Sequence, residues 1–226
     1  MTKPRPCTDR REFFRLSAAA AASVSLSCSP SSQSASPTLL ASAGNGSAGA
    51  GAARKVLLVF FSRAGENYFN GGRKVLKVGN TEVVADFIRD ALGCDVFTIR
   101  AVEPYSDRYD PTVERNVREQ NNDARPGIVA LPASISAYDT VVIGSPIWNV
   151  RLPRIMLTFA EHFDFSGNTV HPFTTYAMSG LGHAVEEYKV ACRRATIGAA
   201  HAVKGEDAES SRPDVEAWLR QIGLFA

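Results

Sequence analysis

Val56-Leu57-Leu58-Val59-Phe60-Phe61 runs directly into Ser62-Arg63-Ala64-Gly65-Glu66-Asn67. Six apolar residues without alternation suit a strand covered on both faces, as in a parallel sheet. Their abrupt end in small, hydroxylic and amide residues predicts a loop at the strand's carboxyl end. After an irregular stretch, Val78-Gly79-Asn80-Thr81 opens a helix predicted over residues 81–92. There Val83, Val84, Phe87, Ile88, Ala91 and Leu92 recur at helical spacing, and Gly93 stops the run.

Toward the C-terminus the same alternation repeats. Residues 95–100 read as an outer strand, 113–122 as a polar helix, and Thr140-Val141-Val142-Ile143 as a short buried strand ending at Gly144. Residues 152–163 read as a helix with Pro153 near its first turn. A fourth strand is predicted over 173–178, a helix over 182–194 and a fifth strand over 196–203. A last helix starts near Pro213 and buries Val215, Trp218, Leu219 and Ile222. Five parallel strands with intervening helices predict one α/β domain over residues 54–226, a three-layer, doubly wound sheet. Ligands of such sheets sit beyond the carboxyl ends of the strands.

Toward the N-terminus the composition changes. The chain has 226 residues, 45% apolar and 21% charged, enough for one domain with a sizeable core. Residues 17–53, however, carry no charge and are mostly Ala, Ser and Gly, too little apolar surface to offset ordering the backbone. Five of the 25 basic residues (Lys3, Arg5, Arg10, Arg11, Arg15) and two of the 23 acidic ones (Asp9, Glu12) precede Arg54. The domain itself therefore holds 20 basic and 21 acidic residues, net −1, and its charge gives no case for nucleic acid. Gly44-Asn45-Gly46-Ser47-Ala48-Gly49 spells G-x-G-x-x-G, but it precedes the first strand instead of following one and is not a dinucleotide site.

Residues 1–53 read as an address followed by a linker. Arg10-Arg11-Glu12-Phe13-Phe14-Arg15, then a weakly apolar segment, resembles a twin-arginine export signal, although Asp9 stands where Ser or Thr is usual and Arg15 where Lys is. The alternative is an exposed basic arm. The signal implies export to the periplasm or the outer face of the cytoplasmic membrane. Two processing points are open: cleavage after Ala43 in Ala41-Ser42-Ala43, or a lipid anchor on Cys28, where Ser25 departs from the aliphatic residue such anchors favour. No transmembrane span is expected in the mature chain.

The predicted strand ends carry three groups of residues. Ser62 in the first loop, with Asn80 and Thr81 at the first helix, offers hydroxyls, an amide and backbone N–H groups at the positive end of a helix dipole, a combination that binds phosphate without lysine. No G-x-x-x-x-G-K-[ST] is present, so this is not a nucleoside-triphosphate loop. Asn80 or Thr81 serving only as a helix cap explains the same residues equally well. Gly144-Ser145-Pro146-Ile147-Trp148-Asn149 puts a Trp just past a buried strand, suited to stacking on a flat ligand or to packing on neighbouring loops. Asn149 is the non-Gly residue type most tolerant of left-handed backbone. Ser179-Gly180-Leu181-Gly182 gives a second flexible loop.

With these motifs in order, the chain from Lys55 onward resembles the flavodoxin-like family, in the branch that reads S-R-A-G-E-N-Y (62–68), G-N-T-E (79–82) and G-x-P-I-W (144–148). The resemblance implies strand order 2-1-3-4-5 and one non-covalent FMN. Carried onto this chain, Ser62, Asn80 and Thr81 hold the phosphate, flanked by Arg63 and Ala64. Pro146, Ile147, Trp148 and Asn149 pack on the isoalloxazine, and Ser179, Gly180 and Gly182 line its other side. Two features depart from the family: an insertion of roughly fifteen residues containing Tyr68, Phe69, Gly71 and Gly72 splits the phosphate loop and is expected to approach the ligand or a partner, and the domain lacks the acidic surface that helps flavodoxins dock on basic partners.

The remaining chemistry-bearing residues are dispersed. Cys94 and Cys192 show no metal spacing and no supported bridge; His183 lies beside the second loop but reads as a helix-start residue facing solvent; Arg115, Arg118 and Arg125, interleaved with Glu114, Glu119 and Asp123, read as a solvated helix face. The resemblance implies an exported FMN protein that transfers electrons to a redox partner protein or a small acceptor. The alternatives are an FMN-dependent quinone-type reductase and a cofactor-free binding module of the same fold.

Overall fold

The computed structural model describes residues 55–226, and the readings made for residues 1–53 lie outside the described residues. Strand β1 (Val56–Phe60) runs through the middle of a parallel sheet, between β4 (Asp95–Thr98) and β5 (Thr140–Pro146). Strand β6 (Thr169–Tyr176) pairs with β5 on one side, and on the other with β7 (Thr196–Ile197) and β8 (His201–Lys204). The order is β4-β1-β5-β6-β7, with β8 on β6. Counting β7 and β8 as one interrupted strand, this is the 2-1-3-4-5 arrangement.

The unbroken apolar run of β1 serves two covers by strand alternation. Leu57, Val59 and Phe61 join a core with Val141 and Ile143 of β5, Ile155 and Phe159 of α3 (Arg154–His162) and Tyr188 of α4 (Ala184–Ala191). Leu58 and Phe60 join the opposite core with Val84 and Ile88 of α1 (Asn80–Leu92) and Val215, Trp218 and Leu219 of α5 (Arg212–Gln221). Each such fully buried aliphatic side chain contributes about 1.5–3 kcal/mol. Cys192 belongs to the first core and Cys94 packs on the second; both are free thiols, and burial pushes that of Cys192 up to about 12.

Five expectations are corrected. The insertion expected to be irregular is an antiparallel hairpin of β2 (Gly65–Phe69) and β3 (Gly72–Leu76), turned by Asn70 and Gly71 at φ 46° and 82°. Helix α2 (Tyr109–Asn121) starts four residues earlier than predicted. Strand β5 continues past Gly144 to Pro146. Strand β6 starts at Thr169 instead of at Phe173, despite Pro172 within it. Val170, which faces the same edge as Pro172, accepts from the Gly198 N–H, and the next ladder pair is Phe173 with His201. Proline, lacking a donor, therefore sits where the partner strand is broken, which is also why the single predicted fifth strand is two.

Candidate functional site

A cavity of about 460 Å3 opens at the carboxyl ends of β1, β5 and β6. Its floor begins at α1, whose N-cap is Gly79 with no side-chain cap. Ser62 supplies what the cap lacks: its Oγ accepts the Glu82 N–H at 3.1 Å from the loop after β1. Neither Asn80 nor Thr81 caps the helix, and their backbone N–H groups have no partner among the described residues. Thr81 Oγ1 lies 2.7 Å from Thr175 Oγ1 and ties α1 to β6. Close approach explains two glycines here. A Cβ on Gly79 would lie 2.2 Å from Ser62 Oγ and 2.7 Å from the Arg63 carbonyl oxygen, and one on Gly205 would lie 2.5 Å from Asn80 Nδ2.

Arg63 lines the cavity half-buried. Its guanidinium donates to the Ser106 carbonyl at 3.0 Å and to that of Glu66. Burial lowers its pKa from the ordinary value, against the opposing pull of Asp107 and Glu66.

The aromatic side is a tight turn. Trp148 and Arg151 exchange backbone hydrogen bonds of 2.9 and 3.1 Å, and Asn149 and Val150 between them stand at φ 50° and 59°. Asn tolerates that conformation; the β-branched Val150 is strained in it. The turn is held from outside. Gln120 of α2 donates to the Trp148 carbonyl at 3.0 Å and accepts from Asn149 Nδ2 at 3.0 Å, while His183 N–H donates to the Val150 carbonyl at 2.9 Å. The Trp148 ring meets Phe61 and Tyr105 edge-on, at 5.6 and 5.1 Å, and also lines the cavity. Both readings of this Trp therefore describe part of its surroundings.

Of the residues singled out from sequence, the cavity brings together Arg63, Asn80, Thr81, Pro146, Ile147, Trp148, Asn149 and Ser179. Ser62 serves the helix end, Ala64 is exposed, and Gly180 offers its carbonyl to Thr174 Oγ1. Gly182 packs under the turn, where a Cβ would meet the Val150 carbonyl oxygen at 2.3 Å. His183 is exposed and does not line the cavity.

The insertion expected to approach a ligand or a partner reaches the cavity through Asn67 and Tyr68, but the sequence reading missed the wall beside it, made by Tyr109, Thr112, Val113, Asn116 and Val117 of α2. Met178 and its neighbours just before Ser179 were missed as well. The helix face expected to be solvated is so at Glu114 and Arg118, but Glu119 is buried, binds Arg115 at 2.7 Å and accepts from the Tyr105 hydroxyl at 2.8 Å. Burial, then Glu119, raises the Tyr105 pKa.

Residues 74–222 match a family model described as Flavodoxin. No curated protein matches the chain. A candidate flavoprotein from Bacteroides uniformis is 26% identical, over 75% of this chain and 99% of that one, at a TM-score of 0.61. One from Bacteroides eggerthii is 27% identical, over 75% and 98%, also at 0.61. A flavoprotein in complex with FMN from Lactobacillus acidophilus shares the fold, with 17% identity over 71% and 98% and a TM-score of 0.51.

Proposed function

The chain belongs to the flavodoxin family, and from that premise we propose that it binds one FMN in the cavity at the strand ends and transfers electrons through it. The observation that carries this reading is the α1 N-terminus: two unpaired N–H groups, those of Asn80 and Thr81, at the positive end of a thirteen-residue helix beside a half-buried Trp. The residues fit the group. Gly79 and Gly205 let the loop after β1 and the Asn80 side chain pack close around the start of α1, Arg63 adds positive charge, and Trp148, Pro146 and Ile147 give an apolar surface for a flat ring. When bound, FMN supplies one- and two-electron chemistry that no side chain offers.

The protein's part is to hold and orient. Asn80, Thr81 and Arg63 hold the phosphate end, and the Trp148 turn sets the plane of the ring. The Trp148 carbonyl already accepts from Gln120 and Arg151. The peptide joining Asn149 to Val150 has both groups unpaired among the described residues, so this unit, rather than the one before it, is offered to the ring edge. Titration with FMN and with riboflavin tests the phosphate end. FMN binding at least tenfold tighter supports the reading, and equal affinities would remove α1 from it.

The twin-arginine-type segment supports export of the folded, cofactor-loaded domain. Arg10→Lys with Arg11→Lys should hold the protein in the cytoplasm; unchanged export would rule that route out.

A further inference from the structure

Each residue from Trp148 to Leu152 is held by the end of a helix. On one side Gln120 of α2 donates to the Trp148 carbonyl at 3.0 Å and accepts from Asn149 Nδ2 at 3.0 Å. On the other side stand the first residues of α4. The His183 N–H donates to the Val150 carbonyl at 2.9 Å. The Glu187 carboxylate takes the remaining two, accepting from Arg151 Nε through Oε1 and from the Leu152 N–H through Oε2, both at 2.8 Å.

The turn needs these ties. A β-branched residue at φ 59° holds that conformation only where surrounding contacts outweigh its strain. Packing gives little help, because Val150 is 44% exposed. Without the ties, rotation of Val150 to negative φ relieves the strain and reorients the peptide joining Asn149 to Val150. That peptide is the one unit of the turn whose carbonyl and N–H both lack a partner among the described residues.

Glu187 is placed for this task and not for a simpler one. Its side chain is 9% exposed, and a carboxylate so far out of water is costly unless its oxygens are bonded. Pairing with the buried Arg154 does not account for it. Those charges stand 3.8 Å apart, whereas the bonds to the turn are 2.8 Å, and Arg154 is bonded to Asp123 instead. Neither Glu187 nor Gln120 is among the residues lining the cavity, so both reach a bound cofactor only through the turn.

We propose that Gln120 and Glu187 are positioning residues, two jaws from α2 and α4 that hold the Trp148 turn against the strain at Val150 and keep the Asn149–Val150 peptide turned to the flavin ring. The consequence for the flavin rests on the FMN reading; the clamp itself does not.

Removing the strain makes the jaws dispensable, because glycine adopts positive φ freely. FMN affinity of the full chain is measured by fluorescence titration for the wild type, Glu187→Gln, Val150→Gly and the double variant. Glutamine keeps the shape of Glu187 but offers one acceptor oxygen instead of two. Glu187→Gln should bind FMN about fivefold more weakly, the lower end of what left-handed strain on one L-residue amounts to. The double variant should return to within about twofold of Val150→Gly alone, a non-additivity that a merely structural ion pair would not produce. Full affinity in Glu187→Gln, a loss of affinity in Val150→Gly itself, or a loss that Val150→Gly does not restore overturns the proposal. If Glu187→Gln does not fold, Gln120→Leu, which cuts the other jaw, goes through the same comparison with the same outcomes.

Amide hydrogen exchange of the cofactor-free chains reads the clamp without FMN. The Trp148 and Arg151 N–H groups, which bond across the turn, should exchange about fivefold faster in Glu187→Gln and recover in the double variant. If the wild type binds no FMN, the proposed function fails by itself. The exchange pattern then decides the clamp, and exchange that is unchanged in Glu187→Gln overturns it.

Discussion

Val150 keeps a β-branched side chain at φ 59°, a conformation that costs an L-residue roughly 1–2 kcal/mol. Glycine escapes that strain but loses about 0.5–1 kcal/mol more backbone freedom on folding. Val150→Gly should therefore unfold within about 0.5 kcal/mol of the wild type by chemical denaturation, where a buried valine would cost several kcal/mol; a loss near ~2 kcal/mol would mean that the turn is unstrained. Thr81 and Thr175 share one buried hydrogen bond of 2.7 Å. Either single change to Val should cost about 1–3 kcal/mol by orphaning the other hydroxyl, and the double change should cost less than the sum of the singles. Strict additivity in the cycle would show that the pair does not couple. Thr81 was legible as a site residue because it opens the first helix within Gly79-Asn80-Thr81-Glu82, beside the loop that ends the first strand. Asn116 was not, because a polar residue in a polar helix reads as solvent-facing whether it meets water or a cavity.

At the level of elements, β1 could be read because its six apolar residues encode both covers at once, whereas the hairpin strands are short, polar and half-exposed. Its turn signal, Asn70-Gly71, stood in the sequence unread. The start of β6 was missed for a different reason: a proline at 172 argues against a central strand, and only the gap between β7 and β8 makes it tolerable. Beside that gap His201 stacks on Trp218, with ring centroids 5.4 Å apart and 16° between planes, and its Nε2 is covered without a partner among the described residues. Burial lowers its pKa below the ordinary 6.5, against a small opposing pull from Asp214. The unfolded chain thus takes up a proton near pH 6.5 that the folded chain resists, so stability falls as pH drops from 6.5 toward the lowered folded value and is insensitive to this group above 6.5. His201→Phe keeps the stack and removes the proton. Its unfolding midpoint should lose part of the wild type's decline below pH 6.5, and parallel curves would show that His201 is not the group responsible.

Over the whole molecule, strand order places the carboxyl ends of β1, β5 and β6 side by side, and these ends, the loops that leave them and the start of α1 supply eight of the twelve residues picked from sequence. The four others act one layer away, capping α1, supporting the turn or standing in solvent. The alternation of apolar runs and helices was enough to predict this architecture, since each element is coded locally. The α2–hairpin wall could not be read so, because it forms only when distant segments are tied by Glu66, Arg73 and Gln120. The most direct measurement is a fluorescence titration of FMN with the purified full chain and with its Trp148→Ala variant and its Asn80→Pro variant, which removes one unpaired N–H at the first helical position, where proline is tolerated. The account predicts saturable one-to-one quenching by the wild type, and affinity at least tenfold weaker in each variant. FMN fluorescence that the wild type leaves unchanged, or equal binding by all three proteins, would contradict it.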